Sequence, residues 1–229
     1  MPRIPVKVVE WSDVVAWAKR LAEVIKASGW RPDVVVAIAR GGYVPARLLC
    51  DFLGISDLLS IQVVHWPGAA QVAEKAYIKY GLGQADLAGK NVLVMDDIVD
   101  TGDSVLLAKE AVEKCCSPKA VKTAALQVIT SATKFMPDYY AVEVKEWYWY
   151  QYPWTALEDM ESFILRILRE EKRPLWSLDD LSAKFVEYYG EELLEKRYTY
   201  FRLALERLKE NGLLKPHDCG GVQCLKQNL

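Results

Sequence analysis

Asp96 and Asp97 are adjacent carboxylates, and three residues beyond them the chain reads Asp100-Thr101-Gly102-Asp103-Ser104. Ionised carboxylates accept hydrogen bonds and suit the hydroxyl groups of a sugar. The small-residue turn leads straight into a helical pattern from Val105 to Lys114. A glycine-bearing turn at a helix start aims backbone N–H groups at one point, where the helix dipole adds positive potential. Such a point holds a phosphate. Asp103 suits a dianion there only if its backbone takes part and its side chain turns outward. Both groups need a rigid support, and Val92 to Met95, an apolar run of the kind buried on both sheet faces, stands directly before them. A lone Asp-Thr-Gly is a common turn. The full order of strand, paired carboxylates, Asp-Thr-Gly-x-Ser and helix is far more specific, and it describes a sugar-phosphate cradle.

A second anion loop is written at Arg40-Gly41-Gly42, between the apolar run Val34 to Ile38 and a helical stretch from Tyr43 to Phe52. Two glycines let the backbone approach an anion, and Arg40 can meet its charge, although the tripeptide alone is only a turn signal. The positioning elements follow from periodicity. Trp11 to Ser28 is helical, with Ser12 as N-cap and Gly29 as the stop. Leu58 to His65 reads as a strand, and Trp66 to Gly89 as an irregular segment with a hairpin near Ala76 to Tyr80. Val121 to Ile129 is a further strand, and Tyr139 to Tyr150 reads as one continuous strand rich in aromatic and β-branched residues. Strands alternating with helices predict an α/β fold with a doubly wound parallel sheet and ligands at the carboxyl ends of its strands.

The stretch Val92 to Ser104 resembles the PRPP-binding motif of the type I phosphoribosyltransferases. That resemblance implies that Asp96 and Asp97 meet the ribose hydroxyls and that Asp100, Thr101, Gly102, Asp103 and Ser104 form the 5′-phosphate loop. It makes Arg40, Gly41 and Gly42 the pyrophosphate loop, with Lys75 and Lys79 within reach of it from a mobile segment. Mg²⁺ is expected as cofactor, arriving with PRPP rather than in an all-protein cage. Asp100 becomes the acid/base near purine N7. Its alternative role is to cap the phosphate-loop helix.

Tyr139-Tyr140 through Pro153-Trp154 is similar to the 6-oxopurine phosphoribosyltransferases, in which an aromatic ring stacks on the base. Counting back from Pro153-Trp154 selects Trp149, the preferred ring, and counting forward from Asp138-Tyr139-Tyr140 selects Trp147. On a single strand the two share one face. Those enzymes carry a lysine that donates to purine O6, and the matching position here is Thr130. Threonine can accept from an exocyclic amine where lysine opposes it, so the substitution predicts a preference for adenine, with the 6-oxopurines as alternative. Lys134, four residues on, restores the contact if the loop is rearranged.

After Pro153 the character changes to helices at Glu158 to Glu171, Leu178 to Tyr189 and Glu192 to Asn211, with no strand before Leu213. A boundary near Leu157 divides a phosphoribosyltransferase domain, 1–157, from a helical, winged-helix-like domain, 158–229. From residue 160 onward 12 lysines and arginines face 12 aspartates and glutamates. DNA-binding modules usually have a basic face, so nucleic acid is an unlikely partner and a structural or homodimer-supporting role is expected. A PRPP-sensing transcription regulator is the alternative of another class.

The whole chain of 229 residues is 52% apolar with a net charge of −2, which gives no electrostatic case for nucleic acid or anionic membrane as partner. No apolar run reaches the roughly 20 residues of a membrane span, and the first residues lack a signal-peptide core. Five cysteines without scaffold spacing predict an intracellular, cytoplasmic protein. His217, Cys219 and Cys224 are of zinc-ligand type but number only three, and Cys115-Cys116 reads as packing.

Overall fold

The computed structural model describes residues 3–64, 76–83, 85–220 and 223–228. In chain order these form β1 (Val6–Val8), α1 (Trp11–Ala27), β2 (Val34–Ala39), α2 (Tyr43–Leu53), β3 (Leu58–Val64), β4 (Tyr77–Tyr80), β5 (Asn91–Val99), α3 (Asp103–Cys116) and β6 (Ala120–Ile129). They continue as β7 (Tyr139–Val144), β8 (Trp149–Gln151), α4 (Ala156–Glu171), β9 (Leu175–Trp176), α5 (Leu178–Tyr189), α6 (Glu191–Glu210), β10 (Leu214–Asp218) and β11 (Gln223–Gln227). Leaving the undescribed residues aside, the chain divides into two compact units, one of residues 11–147 and one of residues 1–10 with 148–229. The expected boundary at Leu157 therefore falls inside the second unit, which also takes in the first ten residues.

The first unit is a six-stranded sheet in the order β4-β3-β2-β5-β6-β7. All neighbours are parallel except β3 and β4. Val34 to Ile38 and Val92 to Met95 have no more than 3% of their surface exposed, because both sheet faces are covered. Val92 and Val94 pack with Val105, Ala108 and Val112 of α3 on one face. Helix α2 lies against β2 and β5 and packs on α1. Pro45 is tolerated in the first turn of α2, where no intrahelical N–H is needed. Strand order reverses between β2 and β5, which places the switch point of the sheet outside their carboxyl ends.

Three local expectations change. Ser12 is the second residue of α1 rather than its cap. Strand β5 runs on through both carboxylates to Val99. The run Tyr139 to Tyr150 is two strands: β7 belongs to the large sheet, whereas β8 pairs in parallel with β1 in the other unit.

In that unit, α4, β9, α5, α6 and the β10–β11 hairpin follow the order of a winged helix, and β9 joins the hairpin to make a three-stranded sheet. The two-residue β9 was not expected. Stacked Phe163 and Tyr189, 4.2 Å between centroids, and Phe185 edge-on to Phe201 at 5.2 Å centre its core. Helix α6 kinks at Arg197, whose guanidinium donates to the Val9 carbonyl at 3.0 Å and to the Glu10 carboxylate. Among the described residues no helix is long and apolar enough to cross a membrane.

The cysteines depart from expectation. Cys115 is bonded to Cys116 at the end of α3, and Cys219 to Cys224 in the β10–β11 hairpin. His217 sits opposite Cys224, yet no three potential metal ligands converge among the described residues. Cys50 is buried and free, and burial pushes its thiol up to about 11.

Gln151 on β8 is fully buried, and neither its amide oxygen nor its nitrogen has a hydrogen-bond partner among the described residues. An orphaned buried polar group costs about 1–3 kcal/mol, whereas an apolar side chain of similar shape carries no such penalty. Gln151→Leu is expected to stabilise the full chain by about 1–2 kcal/mol, read as a raised urea midpoint at unchanged slope.

Candidate active site

The site is built where β2 and β5 end side by side. Val34 to Ala37 pair in register with Val92 to Met95, so the segments that follow leave the sheet together. Beyond β2 comes a cis Ala39–Arg40 peptide, then Gly41 and Gly42. Both glycines are pressed onto β5. A Cβ on Gly42 would lie 2.6 Å from the carbonyl oxygens of Ile38 and Met95, and a Cβ on Gly41 would collide with the Asp97 carboxylate. The Arg40–Gly42 loop and the carboxylate pair thus form one surface, with Arg40 exposed beside it. Gly42 is also the N-cap of α2, and its N–H donates to the Ile38 carbonyl at 2.9 Å.

Asp96 is 8% exposed and accepts from the Asp97 N–H at 2.9 Å, while Asp97 accepts from the Ile98 N–H at 2.9 Å. Burial, and then the adjacent Asp97 charge, hold the Asp96 carboxyl well above the usual carboxylate range. In its protonated form it donates as well as accepts, which suits one hydroxyl of a vicinal pair.

Past Val99, Gly102 adopts φ +91° and caps α3, which begins at Asp103. Asp103 is exposed, and its side chain turns back to accept from the Thr101 hydroxyl at 3.0 Å. The Asp103 N–H donates to that same hydroxyl at 3.3 Å. Ser104 follows in the first turn of α3, whose leading amides have no intrahelical acceptors, the arrangement in which a helix start can take an anion.

A second segment, residues 130–136, braces this loop. The Lys134 N–H donates to the Thr101 carbonyl at 3.0 Å. A Cβ on Gly102 would meet the Cβ of Phe135 at 2.7 Å and the Thr133 hydroxyl at 3.1 Å. Phe135 and Thr133 were not singled out from sequence. The only sign of them was a lone aromatic residue among small ones.

The base-side candidates separate. Thr130 follows β6 directly, and its N–H donates to the Val144 carbonyl at 2.9 Å. Its hydroxyl lies 3.3 Å from both a Glu143 carboxylate oxygen and the Val144 carbonyl. Trp147 occupies the break after β7, 40% exposed, and its indole N–H donates to Asp100 Oδ2 at 3.4 Å. Trp149 lies on β8 in the other unit, edge-on to Phe163 at 6.3 Å and packed against the helical core. The two tryptophans therefore do not share a strand face. Lys79 is exposed on the edge strand β4 with its ammonium over the Tyr80 ring. Lys75 lies outside the described residues.

Carboxylates at the switch point of a doubly wound sheet, with a glycine loop on one side and a helix N-terminus on the other, define an α/β protein that handles sugar phosphates. More narrowly, residues 8–156 match the phosphoribosyl transferase domain, and the chain belongs to that family. It is 26% identical over 194 residues to a hypoxanthine-guanine phosphoribosyltransferase of Schizosaccharomyces pombe, covering 69% of this chain and 93% of the relative. It is 29% identical over 149 residues to the xanthine-guanine phosphoribosyltransferase of Gluconobacter oxydans, covering 65% and 83% respectively. The crystal structure of a purine phosphoribosyltransferase from Pyrococcus horikoshii superposes with a TM-score of 0.54 at 32% identity, over 65% of this chain and 93% of that one.

Proposed function

We propose that the protein joins a 6-oxopurine base to PRPP, giving the nucleoside 5′-monophosphate and pyrophosphate. The observation that carries the reading is the contact of the Arg40–Gly42 loop with Asp97, beside the α3 phosphate turn. One surface thereby offers neighbouring places for pyrophosphate, ribose hydroxyls and 5′-phosphate. In the reaction the bond from ribose C1 to pyrophosphate breaks as purine N9 bonds to C1, and the proton on N7 passes to Asp100. Asp96 and Asp97 hold the ribose, residues 100–104 the 5′-phosphate, and Arg40, Gly41, Gly42 and Lys79 the leaving pyrophosphate. Mg²⁺ arriving with PRPP would lie near Asp96 and Asp97 and would supply charge neutralisation to the pyrophosphate.

The adenine preference expected from Thr130 is replaced. The relatives named above by base are 6-oxopurine enzymes, and the Thr130 hydroxyl can serve purine O6 by turning its one proton from Glu143 or Val144 to the base. Assays of PRPP with hypoxanthine, guanine, xanthine and adenine are expected to rank a 6-oxopurine first by kcat/KM. A margin of at least about tenfold over adenine is expected, the scale at which polar mismatches discriminate. Adenine in first place would sink the assignment of the base.

The winged-helix order of the second unit favours one other reading, a PRPP-responsive DNA-binding regulator. Helix α6 sets five glutamates, Glu191, Glu192, Glu195, Glu206 and Glu210, against five lysines and arginines, so it brings no net positive charge to phosphates. A salt-dependent gel shift with duplex DNA would support the regulator, and none is expected.

A further inference from the structure

Trp147 is conspicuous because it lies in neither hydrophobic core. It stands in the break between β7 and β8, 40% exposed, and its indole N–H reaches Asp100 Oδ2 at 3.4 Å. An indole nitrogen only donates, and a carboxylate accepts at up to about four positions. That hydrogen bond restrains the direction of the Asp100 side chain, and a carboxylate has further acceptor positions for a substrate proton. The need is local. Asp100 is in a turn between β5 and α3, outside the hydrogen-bonded ladder of either, so its backbone alone does not aim the carboxylate.

We infer that Trp147 is a positioning residue for Asp100, holding the carboxylate ionised and aimed through its indole N–H. This inference rests on the reading of Asp100 as the group that takes the purine proton. A donor to the charged form of an acid favours that form, so Trp147 keeps Asp100 a base at lower pH than it would otherwise be. The bond is long for a neutral donor on a carboxylate, and such contacts commonly tighten once substrate is bound. The other ionisable groups on the surrounding segments include Arg40 in the loop packed on Asp97, Asp96, Asp97 and Asp103 near it in sequence, Lys134 on the segment bonded to Thr101, Glu143 on β7, and Lys145 and Glu146 next to Trp147. None of these changes in the variants below.

Trp147→Phe keeps an aromatic face and removes only the donor, so it separates positioning from stacking. Single-turnover rates of the full chain with PRPP and hypoxanthine are measured from pH 4.5 to 9 for the native protein, Trp147→Phe and Asp100→Asn. The expected result is an acid limb displaced upward in Trp147→Phe by about half a unit to one unit, the size of a single hydrogen bond to a charged group. The plateau is depressed severalfold at most, and KM for the base changes little. Superimposable profiles for Trp147→Phe and native protein would overturn the inference, as would a raised KM for the base with an unmoved limb, which is the behaviour of a stacking ring. Failure of the underlying reading looks different. Near-native rates in Asp100→Asn would remove the acid/base role itself, whatever Trp147→Phe does.

Discussion

Asp100→Asn is expected to lower turnover by about 10²–10⁴-fold, the usual worth of a positioned acid or base, with the folded state retained. Asparagine is nearly isosteric, so it still fills the turn after β5, and its side-chain oxygen can still receive the indole N–H of Trp147. What it cannot do is take a proton. The helix that follows is capped at Gly102, with no side-chain capping bond, so the substitution leaves the start of α3 unaltered. PRPP binding should be preserved, and turnover should fall without a matching rise in KM for PRPP, the signature of a contact realised in the transition state. Circular dichroism and a thermal melt alongside the kinetics check the fold. Turnover within about threefold of native would exclude proton transfer through Asp100.

Gly42→Ala is expected to abolish measurable saturation by PRPP and to destabilise the sheet unit by about 1–3 kcal/mol, the range for one unwelcome methyl group in a packed interior. The backbone of Gly42 is ordinary, with φ −65°, so alanine incurs no conformational penalty there. The whole effect comes from what the new methyl meets. Two carbonyl oxygens, of Ile38 and Met95, stand 2.6 Å away, and both belong to strand backbone that cannot swing aside. The loop must lift off β5, and the proposed pyrophosphate cradle then parts from Asp96 and Asp97. Gly81→Ala, whose methyl meets nothing within 4 Å, is the matched control and should behave as native. A Gly42→Ala protein with native KM for PRPP would show that the two loops act independently.

The sheet and the two glycine-bearing loops at its switch point were readable because each rests on short-range pattern. Val34 to Ile38 and Val92 to Met95 are apolar on both faces, and the glycines sit where a turn needs them. The break at Lys145 to Tyr148 was hidden for a physical reason. Alternating tryptophan and tyrosine suit a strand on either side of it, and only the distant partner of β8, Val6–Val8, makes it leave the large sheet. Strand β9, two residues long, has too little pattern to register. The bracing of the phosphate turn by Lys134 and Phe135 depends on one backbone bond and one close approach, neither of which leaves a residue-type signature. Thr130 does follow β6 directly, but the base it selects was not legible from the residue type, since a hydroxyl suits carbonyl and amine alike.

The grip of Arg197 on Val9 and Glu10 has a consequence for how the polypeptide is born. The two ends of that contact lie 188 residues apart, and at about 5–20 residues per second the ribosome needs roughly 10–40 s to deliver the second after the first. For most of that interval Val6 and Val8, which pack against the helical core, have neither β8 to pair with nor a core to join. The inserted sheet unit, complete once Trp147 has emerged, can close first over its own contacts. Residues 6–8 then remain an unclaimed apolar strand until β8 and the helices behind it arrive, a stage of synthesis exposed to misassociation.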